Sequence, residues 1–343
     1  MTEGTQSTLR LPIEESSQVG DARRRAVALA ETVGLDEAAR GRLSIVVTEM
    51  ATNVLRHAGG GELLISPRQA SGGAAIDAVS LDKGPGMGDI ERCLSDGYST
   101  TGTAGNGLGA IRRLSQVFDA YSRPGQGTVL LSTIHDGALP APDPICVGAV
   151  SVPARGETRC GDDWMVDALA GRCRIGVVDG LGHGAPASEA AEVAREVFFQ
   201  TSGLALTAAM TVQDRALRAT RGAVMALAQV DYGAGGVAFC GVGNISSMVV
   251  AGDGETRSMV SAPGTLGYRA PKIQQYPYDW PHGGLLIMHS DGLSSHWGLK
   301  DYPGLKMRHP SVIAAWLYRD FSRGRDDVTV LVARWNEGLD VHA

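Results

Sequence analysis

The chain has 343 residues, a formal net charge of −6, and a composition that is 43% apolar and 20% charged. This length and balance predict a globular protein of two domains, each long enough to bury its own core. A mildly acidic chain without a long basic run is poorly suited to binding nucleic acid or an anionic membrane, so we expect neither as a partner.

Cysteine usage and the N-terminal sequence favour a cytoplasmic protein. The five cysteines form no CxxC pair, which argues against a disulfide framework and against a zinc site. The N-terminal sequence MTEGTQSTLRLPIEESSQVG has neither the basic nor the apolar region of a signal peptide. No apolar run approaches the roughly 20 residues that a membrane span requires.

The first half of the chain is predicted to combine helices with strands. Residues 35–57 carry apolar side chains at the spacing of an amphipathic helix, and the glycines at 59–61 end it. The other predicted elements are a helix at 20–34, strands at 62–66 and 74–82, a helix at 107–117 and a strand at 128–134.

A proline-rich stretch separates the two halves. The sequence DGALPAPDP at 136–144 has no hydrophobic pattern and is typical of a linker. We therefore predict a first domain at 1–135, a linker at 136–145 and a second domain at 146–338. In the second domain we predict strands at 147–151, 164–167, 175–179, 236–240, 246–251, 284–289 and 328–333, and helices at 187–200, 211–219 and 311–321.

The first domain has no GxxxxGK[ST] motif, but a polar pair on its second helix suggests nucleotide chemistry. Glu49 and Asn53 are four residues apart and project from the same helix face. A carboxylate there can deprotonate a nucleophile, and an amide oxygen can bind Mg²⁺. The alternative is an exposed polar pair without a function.

Two glycine-rich segments follow this pair. Asp82 stands directly after a predicted strand in DKGPGMG, where its carboxylate can accept a hydrogen bond from an adenine amino group. The segment GTAGNGLG at 102–109 leads into a predicted helix, whose first N–H groups favour phosphate. Each segment taken alone is equally compatible with a plain turn.

Taken in order, these three elements resemble the N, G1 and G2 boxes of the GHKL superfamily of ATPases and kinases. The stretch DGYSTTGTAGNGLGAIRRLSQVFDAYSRPGQGT is similar to the RsbT-type serine kinases, which phosphorylate STAS-domain proteins in bacterial stress signalling. The resemblance covers residues 5–135 and implies a Bergerat-type α/β sandwich that binds ATP and Mg²⁺. It implies that Glu49 is the general base, Asn53 the Mg²⁺ ligand and Asp82 the adenine contact. The remaining candidates for the ATP site are Gly84, Gly86, Gly105, Gly107, Leu108, Gly109 and Thr128.

Acidic residues beside glycine or a second acid recur in the second domain. The candidates are Asp162, Asp179, Asp291 and Asp326, and three of the four motifs follow or precede apolar runs that are predicted to be buried strands. Carboxylates that meet at strand ends repel one another unless a cation neutralises them, and Mg²⁺ or Mn²⁺ prefers such oxygen ligands. Two such ions can activate a water molecule for attack on a phosphate. The alternative for each motif is an ordinary turn.

Residues 146–336 resemble the PP2C-like SpoIIE and RsbX phosphatases, with RsbX the nearer type. The matching stretches are CGDDWMVD, VVDGLGHG, the RGAVMAL run, FCGVGNIS, IMHSDGL and GRDDVTVLV. The resemblance implies an αββα sandwich with two Mn²⁺ or Mg²⁺ ions at one end of its sheets. It implies that Asp179 bridges the ions with help from the Gly180 carbonyl, that Asp291 and Asp326 bind one ion, and that Asp162 reaches the other through water.

The second domain departs from the eukaryotic PP2C pattern. Those enzymes carry a histidine directly after the DG pair as general acid, whereas Leu181 stands here. His183 is a substitute acid or a polar residue at a helix start, and no arginine stands out as a phosphate ligand. Asp163 and Asp327 are adjacent alternatives to Asp162 and Asp326.

A kinase-like and a phosphatase-like domain in one chain indicate a regulatory switch. We expect the two activities to act on a STAS-domain phosphoprotein of the RsbS or RsbR type. One alternative is that the first domain captures a partner without catalysis and uses ATP to set its conformation. A third hypothesis is a phosphatase for a small phosphate ester.

Overall fold

The computed structural model describes residues 2–4, 8–70, 73–94, 107–137, 143–169, 171–233, 235–268 and 272–336. The chain divides into two compact units. The N-terminal unit comprises Thr8–Pro140 and Met307–Trp316, and the C-terminal unit comprises Met1–Ser7, Ala141–Lys306 and Leu317–Ala343. Strand β1 (Thr2–Gly4) therefore belongs to the C-terminal unit, although it lies at the start of the chain.

The N-terminal unit is a five-stranded antiparallel sheet packed against helices. Its strand order is β2-β3-β4-β6-β5. The elements are β2 (Leu9–Ile13), α1 (Ser16–Thr32), α2 (Glu37–Ala58), β3 (Gly61–Ala70), β4 (Gly73–Asp82), α3 (Ile90–Leu94), α4 (Gly107–Leu114), β5 (Val117–Arg123) and β6 (Gly127–His135).

Helix α2 forms because its sequence supplies both ends and a continuous apolar face. The Asp36 side chain accepts a hydrogen bond from Ala39 N at 2.7 Å and caps the first turn. Gly59 ends the helix in the left-handed conformation at φ 73°. The buried face, which includes Leu43 and Met50, packs in the core of this unit. The predicted helix at 35–57 is confirmed.

The predicted helix at 107–117 is too long. Helix α4 ends at Leu114, and strand β5 begins at Val117. Gln116 N donates to Thr133 O at 3.0 Å, so the chain joins the sheet there. The β-branched and aromatic pair Val117–Phe118 favours a strand over a further helical turn.

The C-terminal unit is a sandwich of two antiparallel sheets with orders β1-β8-β9-β10-β11-β14 and β13-β12-β15-β16-β7. Its strands are β7 (Ile145–Val152), β8 (Asp162–Leu169), β9 (Arg172–Gly180), β10 (Ala223–Asp231), β11 (Val237–Val242), β12 (Ser246–Val250), β13 (Thr256–Ser258), β14 (Tyr276–Tyr278), β15 (Leu285–His289) and β16 (Val328–Trp335). Its helices are α5 (Ala185–Gln200) and α6 (Leu206–Leu217), and the unit boundary falls within α7 (Pro310–Phe321).

Alternation along the strands separates two layers of core. On β8, Trp164 and Val166 face the core between the sheets, whereas Met165 faces the layer that contains α5 and α6. On β9, Val177 and Val178 divide in the same way. Strands β8 and β9 are therefore buried on both faces, and the carboxylates at their ends are held in a rigid frame. No helix in the described ranges is long and apolar enough to cross a membrane.

Candidate functional sites

The polar pair on α2 lies against the start of α4. A β-carbon placed on Gly107 would be 2.8 Å from Glu49 Oε2 and 3.6 Å from Asn53 Oδ1. Only a residue without a side chain leaves room there, so the structure brings three of the predicted ATP-site residues together. Leu108 and Gly109 continue α4, and Gly105 lies outside the described residues.

Asp82 closes β4 and organises the glycine-rich loop after it. Its Oδ1 accepts hydrogen bonds from Gly84 N at 2.9 Å and from Thr128 N at 3.2 Å. The Thr128 hydroxyl also lies 2.8 Å from the Ser122 hydroxyl. Asp82, Gly84 and Thr128, which the sequence places in two separate motifs, thus meet at one point.

Two glycines allow backbone segments to pack closely around Asp82. Gly86, at φ +67°, has no space for a side chain because the Arg123 carbonyl occupies it. Gly127, at φ +83°, lies so close to the Asp82 carbonyl that any β-carbon would overlap it. Both residues adopt a conformation that favours glycine, so the loop and strand β6 approach more closely than side chains permit.

In the C-terminal unit, Asp162 and Asp179 are direct partners across strands β8 and β9. Asp162 is buried, and the Ser290 hydroxyl donates to its Oδ2 at 2.5 Å. Burial, followed by the charge of Asp179, raises the pKa of Asp162 well above the ordinary range of a carboxyl group. The pair is therefore held together against its own repulsion.

The charges of Asp291 and Asp326, the other two candidate ligands, also affect the pKa of Asp179. Burial raises the pKa of Asp179 to about 7, with further contributions from the charges of Asp291 and Asp326. A donor set of mutually repelling carboxylates fits Mg²⁺ or Mn²⁺, since a divalent cation removes the repulsion. Within the described ranges, no three His, Cys, Asp or Glu side chains are close enough to form a complete metal-binding group. A bound ion would therefore have to draw these carboxylates inward.

In each of the adjacent pairs Asp162–Asp163 and Asp326–Asp327, the two aspartates make different contacts. Asp327 is buried and accepts backbone hydrogen bonds from Ala154 at 2.7 Å and Gly161 at 2.8 Å, whereas Asp326 is exposed. Asp163 lies 3.6 Å from the Arg195 guanidinium. Its cross-strand partner on β9 is Val178, whereas the partner of Asp162 is Asp179. Asp327 and Asp163 are thus engaged in structural contacts, which favours Asp326 and Asp162 as the ligands.

Two residues that the sequence did not indicate hold the carboxylates in place. Asn244 Nδ2 donates to Asp291 Oδ2 at 2.9 Å. The Ser290 hydroxyl, besides donating to Asp162, accepts from Thr329 N at 2.9 Å. The stretches FCGVGNIS and IMHSDGL contain both residues, but nothing in their spacing shows which aspartate they would contact.

Gly180 ends β9, and His183 lies in the loop that follows it. The His183 ring is exposed, and its Nδ1 is 2.7 Å from Glu157 Oε1. This contact favours a structural role near the start of α5, and a general-acid role stays a prediction. Gly180 N donates to Gly161 O at 3.0 Å, which joins this loop to the start of β8.

Comparison with known proteins identifies both units. A family model described as "Histidine kinase-like ATPase domain" matches residues 13–133, and one described as "Stage II sporulation protein E (SpoIIE)" matches residues 170–336. The serine/threonine-protein kinase RsbT of Bacillus subtilis (strain 168) is 32% identical over 100 residues, which cover 29% of this chain and 75% of RsbT. The chain belongs to the RsbT family. It fuses an RsbT-like ATPase domain to a SpoIIE-type phosphatase domain.

A phosphatase and a chain from a solved structure are also similar to this chain. The phosphoserine phosphatase RsbX of the same organism is 23% identical over 139 residues, which cover 40% of this chain and 70% of RsbX. A chain from a solved structure described as "The bacterial stressosome: a modular system that has been adapted to control secondary messenger signaling" is 31% identical, with a TM-score of 0.51. That match covers 55% of this chain and 99% of the other. The predicted class, a GHKL-like α/β sandwich followed by a PP2C-like sandwich, is confirmed.

We predict that Gly127→Ala damages the RsbT-like domain far more than Gly125→Ala. Both glycines have positive φ, but open space surrounds Gly125, whereas a side chain at Gly127 would overlap the Asp82 carbonyl. We expect Gly125→Ala to cost about 1 kcal/mol of unfolding free energy, and Gly127→Ala to cost at least about 2 kcal/mol more and to abolish ATP binding. Urea unfolding and titration with a fluorescent ATP analogue measure both effects. Equal effects of the two variants would contradict the close approach.

We predict opposite phenotypes for neighbouring substitutions in the SpoIIE-type domain. Asp327→Ala leaves two buried N–H groups without an acceptor and should cost about 2–4 kcal/mol of unfolding free energy. Asp326→Ala should change it by less than about 0.5 kcal/mol and should remove the stabilisation by Mn²⁺. Unfolding with EDTA and with Mn²⁺ separates the two, and a strongly destabilised Asp326→Ala would reverse the assignment.

We predict that Asp179→Asn stabilises the metal-free protein at alkaline pH. Folding raises the pKa of the Asp179 carboxyl to about 7. The protonated carboxyl therefore contributes to stability below the pKa that Asp179 has in the unfolded chain, and this contribution is lost as pH rises through 7. Asparagine removes this loss, so in EDTA the variant should be more stable than wild type by about 1–3 kcal/mol at pH 8. The difference should shrink at pH 4.5. Thermal unfolding at both pH values tests this, and a pH-independent difference would contradict it.

Proposed function

We propose that this protein is a bifunctional signalling switch. In this proposal the C-terminal unit removes phosphate from serine or threonine of a phosphoprotein, using two divalent metal ions. The N-terminal unit transfers phosphate from ATP to a STAS-domain partner of the RsbS or RsbR type. The observation that carries the phosphatase proposal is the mutually repelling pair of the buried Asp162 and the half-buried Asp179. Asp291 and Asp326 are close enough to raise the pKa of Asp179 further.

Each residue of the phosphatase site has a role in this proposal. Asp179 and the Gly180 carbonyl would hold both ions, Asp291 and Asp326 would hold one, and Asp162 would act through water. The ions, when bound, would lower the pKa of a water molecule so that hydroxide attacks the phosphorus. Ser290 and Asn244 would orient the carboxylates that they contact, as second hydrogen-bonding partners do in metal sites generally.

The ATP site has a matching set of roles. Asp82 and Thr128 would contact adenine, and Asn53 would bind Mg²⁺. Glu49 would accept the proton from the hydroxyl group that attacks the γ-phosphate. The N-terminus of α4 lies against Glu49 and Asn53, where its N–H groups would favour phosphate.

The relatives support the proposed partner. RsbT is described as a serine/threonine kinase and RsbX as a phosphoserine phosphatase, and a 31%-identical chain comes from a stressosome structure. A chain that joins both types would act where a regulator is reversibly phosphorylated. We place it in the cytoplasm, since none of the five cysteines, all of which lie within the described residues, forms a disulfide bond.

One experiment tests both activities. Purified STAS-domain protein is incubated with labelled ATP, Mg²⁺ and Mn²⁺ and with wild type, Asp179→Asn, Glu49→Ala or the double variant. We expect Asp179→Asn to accumulate at least about tenfold more phosphoprotein than wild type, since it loses the ligand that bridges the ions. Glu49→Ala should accumulate none and should still dephosphorylate added phosphoprotein.

The outcomes separate the alternatives. If Asp179→Asn accumulates no more phosphoprotein than wild type, the opposed activities are refuted. If Glu49→Ala binds the STAS protein and retains the biological output, the N-terminal unit is a partner-binding module regulated by ATP. If wild type hydrolyses only small phosphate esters, the protein substrate is refuted.

A further inference from the structure

A site built from carboxylates repels a negatively charged phosphate substrate. A phosphate monoester carries nearly two negative charges at neutral pH, and Asp162, Asp179, Asp291 and Asp326 add more of the same sign. The metal ions would offset part of this charge. A cationic side chain at the rim of the site would offset the rest and would also orient the phosphate oxygens.

Arg221 lies beside the loop that follows Asp179 and β9. It precedes β10, whose first residue Ala223 is the cross-strand partner of Gly180, the last residue of β9. Leu181 N donates to Gly222 O at 3.0 Å, which keeps the loop after β9 beside Arg221. The candidate bridging ligand Asp179 is therefore only a few residues from the backbone that Arg221 flanks.

The Arg221 side chain extends over this loop. A β-carbon built on Gly182 would lie 3.1 Å from Arg221 Nη1, so the guanidinium is directly above that glycine. Gly182 has φ +90°, a conformation that favours glycine, and the missing side chain leaves the space that the guanidinium occupies.

The charge of Arg221 is not used elsewhere in the described part of the chain. Arg221 is exposed, and among the described residues it forms no hydrogen bond and no ion pair. Other arginines of this unit are paired: Arg159 lies 3.3 Å from Glu192, and Arg195 lies 3.6 Å from Asp163. A guanidinium that stays unpaired over the loop that follows Asp179 is available to an anion.

We propose that Arg221 binds the phosphoryl group of the substrate, an inference that rests on the phosphatase function proposed above. The planar guanidinium donates two parallel hydrogen bonds to phosphate oxygens, which a lysine ammonium does not. Leu181, 40% exposed and adjacent in the same loop, offers an apolar surface to the residue next to the phosphoserine. Arg221 is thus a substrate-binding residue, and it takes no part in holding the metal.

The test measures binding of inorganic phosphate at equilibrium, which requires no turnover. Calorimetric titrations are done on the full chain with Mn²⁺ and saturating ADP, so that the nucleotide site is occupied. We expect Arg221→Ala to weaken phosphate binding about tenfold and Arg221→Lys to weaken it less. Gly182→Ala should also weaken it, because its methyl group would displace the guanidinium.

Arg325→Ala is the charge-matched control. Arg325 is also exposed and lies next to Asp326, so its removal changes the net charge near the site by the same amount. We expect Arg325→Ala to bind phosphate like wild type, and the Arg221 and Arg325 variants to show wild-type unfolding and wild-type Mn²⁺ binding. In turnover, Arg221→Ala should raise KM for a phosphopeptide with little change in kcat.

Several results would overturn the inference. Equal weakening in Arg221→Ala and Arg325→Ala would show a general charge effect. Altered Mn²⁺ binding in Arg221→Ala would assign the residue to the metal site, and undetectable phosphate binding by wild type would leave Arg221 without a ligand. If wild type binds phosphate through Arg221 but hydrolyses no phosphoprotein, the proposed function fails while the anion site stands.

Discussion

The carboxylate pair Asp162–Asp179 is the constraint on which the C-terminal unit depends. Antiparallel pairing of β8 and β9 sets the two side chains opposite each other, and burial raises the pKa of both. Their repulsion opposes folding, so the two strands must be stable for other reasons. The apolar residues on both faces of β8 and β9 provide that stability through the two cores. The fold therefore holds together two carboxylates that repel each other when no cation lies between them.

Hydrogen bonds from distant parts of the chain complete this arrangement. Ser290 joins Asp162 to Thr329, and Asn244 holds Asp291. The buried Asp327 is saturated by two backbone N–H groups, which fixes the loop that presents Asp326. In the mechanism that we propose, these contacts orient the carboxylates before an ion arrives, so less side-chain freedom is lost on binding.

The candidate site of the N-terminal unit depends on close packing of backbone segments at glycines. Gly86 lets the loop after β4 approach Arg123. Gly107 and Gly127 let the start of α4 approach Glu49 and the start of β6 approach Asp82. Each glycine has a carbonyl or carboxylate where its side chain would be. The ATP site that we propose is therefore formed where side chains are absent, whereas the proposed phosphatase site is formed where carboxylates are crowded together.

The sequence by itself determined the two domain types, the order of most elements and the motifs that contain the candidate residues, because helix periodicity, strand alternation and glycine-rich loops are properties of neighbouring residues. It could not determine which aspartate of each pair is held by structural contacts, nor what Ser290 and Arg221 lie against. Asp162 and Ser290 are 128 positions apart, and Asp327 and Ala154 are 173 apart. Strand register brings such residues together, and a shift of one residue would turn each side chain to the opposite face. Only the tertiary structure decides that register, because it depends on how both cores pack.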